Sequence, residues 1–229
     1  PIPFDQTPGP GQLEIEAGTG PTSRSLHFVV TRGVFQTIQV AVGNQRVQLR
    51  DADKARTARE REEILKIYAE PAPALLWKEP FLAPLNSKVT CGFGVKRVFN
   101  GSLQSVHKGL DLRAATGTPV HAPAPGVVRL GKDLFYGGNL VLLDHGLGLF
   151  TAYAHLSKIQ VAVGQTVQTG QILGLSGATG RVSAAHLHWD ASIGGTNVDP
   201  HQVQRWTAVL AGAHPTAPKP PRPTRRKRP

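Results

Sequence analysis

The sequence predicts a mainly β protein. Its expected core is an antiparallel sheet bearing a groove, preceded by a small β-sandwich-like unit and one helix. Three observations carry this reading. From Val89 onward, short apolar or alternating runs are punctuated by glycines at 126, 131, 137, 138, 146, 148, 164, 170, 174, 177 and 180, with almost no helical period. Upstream, four short runs alternate between apolar and polar residues. Between the two regions lies one stretch with helical composition, about residues 52–69.

Residues 1–12 are rich in Pro and Gly and read as an extended lead-in. The alternating runs Leu13–Ala17, Leu26–Arg32, Thr37–Val42 and Arg46–Arg50 read as half-buried strands, the last two joined by a hairpin turn at Gly43-Asn44. With the helix they form an expected N-terminal unit over 13–70. Asp51 or Asp53 is placed to cap the helix. Its charged residues, Arg56, Arg59, Glu60, Arg61, Glu62, Glu63 and Lys66, read most simply as a solvated face. Pro71, Pro73, Pro80 and Pro84 mark residues 71–86 as a linker. The main unit then spans 87–203. Its expected strands are Val127–Leu130, Asn139–Asp144, Leu149–His155, Ile159–Val163, Gln171–Leu175 and His186–Ile193. Residues 204–229 read as a Pro-rich basic tail.

The net charge is +11 over 229 residues, and part of it is local. Lys219, Arg222, Arg225, Arg226, Lys227 and Arg228 fall in the last 16 residues without an acid. Such a tail is expected either to solubilise or to bind an anionic cell wall or membrane surface; no specific nucleic acid is expected. No apolar run approaches the roughly 18–20 residues of a membrane-spanning helix. Cys91 stands alone, which excludes an internal disulfide framework. The chain begins at Pro1 and has no Met, so a processed product is expected.

The chemistry concentrates in five residues. His186 and His188 share a face if their segment is a strand, which puts the imidazoles roughly 6–7 Å apart. One can bind a metal while the other works on what the metal binds. His107 and Asp111, four apart, can grip one ion from a single segment. A His/His/Asp set leaves a tetrahedral zinc with one open position, as catalytic sites require. His155 follows Tyr153-Ala154 in an apolar strand. His27, His121, His145, His201 and His214 lack such spacing and read as packed or surface histidines.

Together these stretches resemble the lysostaphin/LytM-type zinc endopeptidases of peptidoglycan. The likeness runs from Val89 to Pro200, about half of the chain. It rests on Cys91-Gly92-Phe93-Gly94, His107-Lys108-Gly109-Leu110-Asp111-Leu112, Gly117-Thr118-Pro119-Val120, Tyr153-Ala154-His155-Leu156, Gly164–Ile172, Thr179-Gly180 and His186-Leu187-His188-Trp189. Residues 30–82 also look like the N-terminal domain of some periplasmic members. The resemblance implies one Zn2+ held by His107, Asp111 and His188, with His155 and His186 as the catalytic pair. Asp190 stands where the family commonly has an acid. Val182-Ser183-Ala184-Ala185 departs from the family's Ser/Thr-Gly-Pro-like run, which bears on substrate preference.

No glutamate lies near these motifs, so a histidine must act as the general base. Water activation and oxyanion stabilisation are therefore expected of His155 and His186 jointly. Asn139 and Tyr153 are expected substrate contacts, against the alternative that each is a turn or core residue. The resemblance implies a monomeric, periplasmic or secreted enzyme that cuts stem-peptide cross-links. The alternatives are a glycyl-glycine endopeptidase, or a non-catalytic module that binds the wall or activates an amidase.

Overall fold

A computed structural model of the chain describes residues 6–16, 23–40, 49–99 and 102–212, and the structural statements below concern these. The hairpin turn expected at Gly43-Asn44, nearly all of the strand expected at 46–50 and the basic residues at 219–228 of the tail lie outside them.

A ten-stranded sheet dominates. Its main path runs β12 (Thr166–Val167), β9 (Gly126–Leu134), β10 (Gly138–Asp144), β11 (Leu149–Ile159), β14 (His186–Ile193), β7 (Gly109–Arg113) and β4 (Val89–Cys91). β13 (Ile172–Ser176) joins β11 to β8 (Pro119–His121), and β15 (Thr196–Val198) pairs with β14. All pairings within this sheet are antiparallel. The expected strand at His186–Ile193 matches β14 residue for residue, whereas β11 ends at Ile159 and residues 160–163 form a turn region. The inner face of the sheet buries Leu110, Leu112, Val120, Val128, Val141, Leu143, Tyr153, Leu156, Leu173, Leu187 and Trp189 in one cluster.

The N-terminal region differs from the expected sandwich. β1 (Gly9–Glu16) starts inside the expected lead-in and pairs with β2 (Ser23–Val30) as a separate two-stranded sheet. Its apolar side chains find no second layer, since Leu13 is 53% and Val29 71% exposed. β3 (Thr37–Val40) pairs instead with β5 (Lys96–Phe99), in parallel, and β5 pairs with β6 (Ser102–Val106). A sequence that alternates tells which residues share a face, but not which strand supplies the hydrogen bonds.

Helix α1 spans Asp51–Ala69, close to the expected bounds. Arg50, not an aspartate, occupies the N-cap, and Asp51 and Asp53 lie in the first turn, favourable beside the helix dipole. The charged face is only partly solvated. Arg56 pairs with Asp133 at 2.8 Å and Lys132 with Glu63 at 2.6 Å, both across to β9. On the apolar side Ile64, Ile67 and Tyr68 pack on Leu130, Leu134, Leu142, Phe150 and Ala152.

Residues 71–86 are not a loose linker. Trp77, Phe81 and Leu85 are buried, and Leu76 N–H donates to the His145 carbonyl, Leu82 N–H to that of Pro123. Each such side chain contributes about 1.5–3 kcal/mol by leaving water, so the segment is a strap laid along the sheet. The region expected as tail from 204 begins inside a second helix, α2 (Pro200–Leu210). Asp199 caps it by accepting from His201 N–H, and Pro200 takes the first turn where no N–H is needed. Thr207 of α2 accepts from Phe81 N–H at 3.0 Å, tying strap to helix.

Candidate active site

β7 and β14 lie side by side with Asp111 directly opposite His188. His107 opens the two-residue loop between β6 and β7, four residues from Asp111. The three donor atoms meet. His107 Nε2 lies 2.9 Å from Asp111 Oδ1 and 3.0 Å from His188 Nδ1, and His188 Nδ1 lies 2.8 Å from Asp111 Oδ1. Tetrahedral zinc with bonds of about 2.0–2.1 Å would set such atoms roughly 3.3 Å apart.

The outer partners decide what these atoms can do. His107 Nδ1 donates to the Gly92 carbonyl at 2.7 Å, which leaves Nε2 as a lone pair in the neutral ring. His188 Nε2 donates to Asp190 Oδ1 at 2.9 Å, which likewise leaves Nδ1 as a lone pair. In the neutral rings two nitrogen lone pairs and a carboxylate oxygen converge, an arrangement suited to a cation. Gly109 makes room for this, because a Cβ there would lie 2.4 Å from Asp190 Oδ1 and from the Trp189 carbonyl oxygen. Burial opposes charge on His188, yet Asp190 and Asp111 outweigh it and hold the imidazole up at about 10, so near neutral pH a bound cation would displace the proton from Nδ1. Burial likewise opposes charge on Asp111, but its three histidine neighbours hold its carboxyl far below the usual range.

Cys91 also approaches, since its sulfur and donor atoms of His107 and Asp111 all lie within 4.8 Å of one another. His188 fits the cation site better. Cys91 Sγ is 3.9 Å from Arg97 Nη2, which itself sits 3.4 Å from the other Asp111 oxygen, Oδ2, so the thiol flanks the outer side of the carboxylate.

His155 and His186 stand beside the cluster, ring centroids 4.9 Å apart, and His155 is 5.9 Å from the His188 ring. His155 occupies a bulge of β11, where the register against β10 slips between Asn139 and Val141. Its φ of 63° is a left-handed value that β-strand residues avoid. Its Nδ1 bonds the Thr179 carbonyl at 3.0 Å. Burial pushes this imidazole down to about 4, with His188 and His186 adding to the effect, so the ring is neutral near pH 7. His186 Nδ1 bonds the Ala184 carbonyl at 2.9 Å, and its Nε2 lies 3.5 Å from Asp111 Oδ1. The hydrogen bond to Asp111 raises the affinity of His186 for its proton.

The two expected substrate contacts lie elsewhere in function. Tyr153 is wholly buried, its hydroxyl 2.7 Å from Thr151 Oγ1, which in turn lies 2.7 Å from His145 Nε2. On the inner face of β11 it is a core residue that substrate cannot reach. Asn139 is half-buried and donates through Nδ2 to the Leu156 carbonyl at 3.1 Å, so its amide group braces the bulge that carries His155. Sequence reasoning missed the carbonyls of Gly92, Thr179 and Ala184 as partners of the site. Backbone acceptors leave no residue-type signal. It noted Asp190 without a role, although His188-x-Asp190 on a strand already places both on one face.

Residues 105–200 match the family model described as Peptidase family M23. A putative peptidase M23 from Pseudomonas aeruginosa has a solved structure that superposes with a TM-score of 0.69 at 33% identity, covering 93% of this chain and 78% of that one. The chain belongs to peptidase family M23. The peptidase is also 45% identical over 93 residues to the peptidoglycan DD-endopeptidase ShyA of Vibrio cholerae, which spans 41% of this chain and 22% of that one. To the DD-carboxypeptidase/endopeptidase Mpg of Neisseria meningitidis it is 42% identical over 113 residues, 49% of this chain and 26% of that one. The matches thus span about a quarter of these curated relatives. The mainly antiparallel β architecture expected from the sequence is that of the family.

Proposed function

We propose that this M23 peptidase is a zinc-dependent endopeptidase that hydrolyses peptide bonds in peptidoglycan stem-peptide cross-links. One observation carries the reading: two imidazole nitrogens and a carboxylate oxygen converge at 2.8–3.0 Å beside a second pair of histidines. The choice of bond is supported by similarity to relatives named as DD-endopeptidases.

His107, Asp111 and His188 would hold the ion, with Gly92 and Asp190 orienting the two rings. Bound there, zinc supplies a polarised scissile carbonyl and a water whose pKa falls to about 7. The remaining work falls to His155 and His186. Both rings tie Nδ1 to a backbone carbonyl, which leaves Nε2 as the proton-accepting nitrogen of the neutral form. His155 is neutral near pH 7 and ready to take the proton of an attacking water. The proton held between this pair is then available to the departing amine, and a protonated ring stabilises charge on the carbonyl oxygen. The main catalytic unit is residues 87–203, with the strap as part of its packing. The enzyme acts outside the cytoplasm, as a monomer, where the substrate lies. Among the described residues no helix is long and apolar enough to cross a membrane. The basic tail adds affinity for an anionic wall.

Mass spectrometry of peptidoglycan digests, run with and without a chelator, tests metal dependence and bond identity together. The expected products are uncrosslinked stem peptides that vanish on chelation. His188→Ala is expected to lose both bound zinc and hydrolysis, and His155→Ala to keep zinc and lose hydrolysis. Cleavage of pentaglycine alone, or hydrolysis undiminished by chelator, would overturn the reading.

A further inference from the structure

We propose that Glu60 of α1 is a positioning residue for His155, so that the helix outside the family-matched region sets the geometry of the catalytic pair. The inference rests on His155 being catalytic, as proposed above.

The contacts form a continuous path through five successive residues. Phe135 N–H donates to both carboxylate oxygens of Glu60, at 3.2 and 3.0 Å. The Tyr136 carbonyl accepts from Arg181 N–H at 3.1 Å, and the Gly137 carbonyl accepts from His155 N–H at 2.7 Å. Gly138 lies so close to the 179–180 backbone that a Cβ would stand 2.3 Å from the Thr179 carbonyl carbon and 2.5 Å from Gly180 N. Asn139 N–H donates to Thr179 Oγ1 at 2.9 Å. Thr179 then holds the His155 ring through its carbonyl. The β9–β10 turn therefore grips His155 twice, once by its backbone and once, through Thr179, by its ring. The residue so held has an unfavourable φ of 63°, which persists only where its surroundings enforce it.

Glu60 is poorly explained as a docking group. Ile64, Ile67 and Tyr68 supply the apolar contact of α1, and the Glu63–Lys132 pair joins helix to β9 at its exposed edge. Glu60 is instead largely covered, with 14% of its side chain exposed, and burying a carboxylate is costly without strong partners. Its partners are Arg56, at 2.6 Å, and the turn amide. Arg56 also lies over the Phe135 ring, 5.9 Å from its centroid, and Arg181 covers the same ring at 5.6 Å. The helix thus directs its most covered carboxylate to the first residue of the turn that holds His155. A shift of about 1 Å at a catalytic group can cost on the order of 100-fold in rate.

The test uses the full, zinc-loaded chain and a soluble cross-linked muropeptide. Glu60→Ala is expected to lower kcat about tenfold, with KM, zinc content and melting temperature near wild type, and to shift the His155 ring nitrogen resonances. Glu60→Gln keeps an acceptor for Phe135 N–H and is expected to recover most of the rate. Glu63→Gln, on the same helix but off the turn, is expected to match wild type. Wild-type kcat in Glu60→Ala, an equal fall in Glu63→Gln, or a fall that tracks lost zinc or lost folding would each overturn the proposal. Hydrolysis by His155→Ala at the wild-type rate would sink the underlying reading and this proposal with it. A normal Glu60→Ala beside an inactive His155→Ala would sink the proposal alone.

Discussion

At Asp190 a single carboxylate decides which nitrogen of His188 faces Asp111. It accepts from His188 Nε2, stands within the buried sheet, and is admitted there by a glycine on the neighbouring strand. Removing its charge while keeping its shape weakens the hold on the tautomer without removing a donor atom. Asp190→Asn is therefore expected to reduce zinc affinity by about 10–100-fold, measured by competition with a chromogenic chelator, while the fold survives. An unchanged affinity would mean that His188 is oriented by strand geometry alone. The same scale shows why Tyr153 misleads a reader of the sequence. It lies two residues from His155, and a regular strand would put both on one face, but the bulge and the positive φ at His155 break the alternation and leave Tyr153 in the core.

Among the elements, the strap over 71–86 carries the largest difference between expectation and structure. Four prolines forbid helix and central strand, and that is all they determine. Trp77 and Phe81 meet edge to face at 5.2 Å and share a cluster with Ala124, Leu149, Ala191, Val198 and Val203. This cluster joins strap, sheet and α2. Trp77→Ala is expected to cost about 3–5 kcal/mol of stability, read from denaturant midpoints, with zinc affinity little changed because the cluster contains none of the site residues. A loss below about 1 kcal/mol would show that the strap adds little to the fold. The Trp77–Phe81 part of the strap thus packs apart from the site, the two joined through β14, which carries both His188 and Ala191.

For the whole molecule, pH enters stability through a histidine remote from the site. His145 is fully buried, its Nδ1 on the Pro125 carbonyl and its Nε2 facing Thr151. Burial pushes its pKa from 6.5 down to about 4. The folded protein therefore keeps the ring neutral in a range where the unfolded chain would protonate it. Its contribution is complete above pH 6.5 and is lost as pH falls toward about 4. The shift corresponds to about 3 kcal/mol at most. Denaturation between about pH 7.5 and 4.5 is expected to show a smaller loss in His145→Gln than in wild type. Equal losses would place the acid sensitivity in other groups.

The sequence by itself determined the β class, the bounds of α1 and β14, and the residue types that gather in the site. These follow from periodicity and spacing, which are local properties of a chain. His186 and His188 share a face because a strand repeats every two residues, and no partner is needed to know it. What only the tertiary structure decided was pairing. Asp111 meets His188 across 77 residues because β7 lies beside β14, and β3 leaves its neighbours to pair with β5. Backbone carbonyls that fix the histidine tautomers, and the turn that joins Glu60 to His155, have no side-chain signature. They exist only once distant segments are brought within hydrogen-bond reach, where distance rather than composition sets the energy.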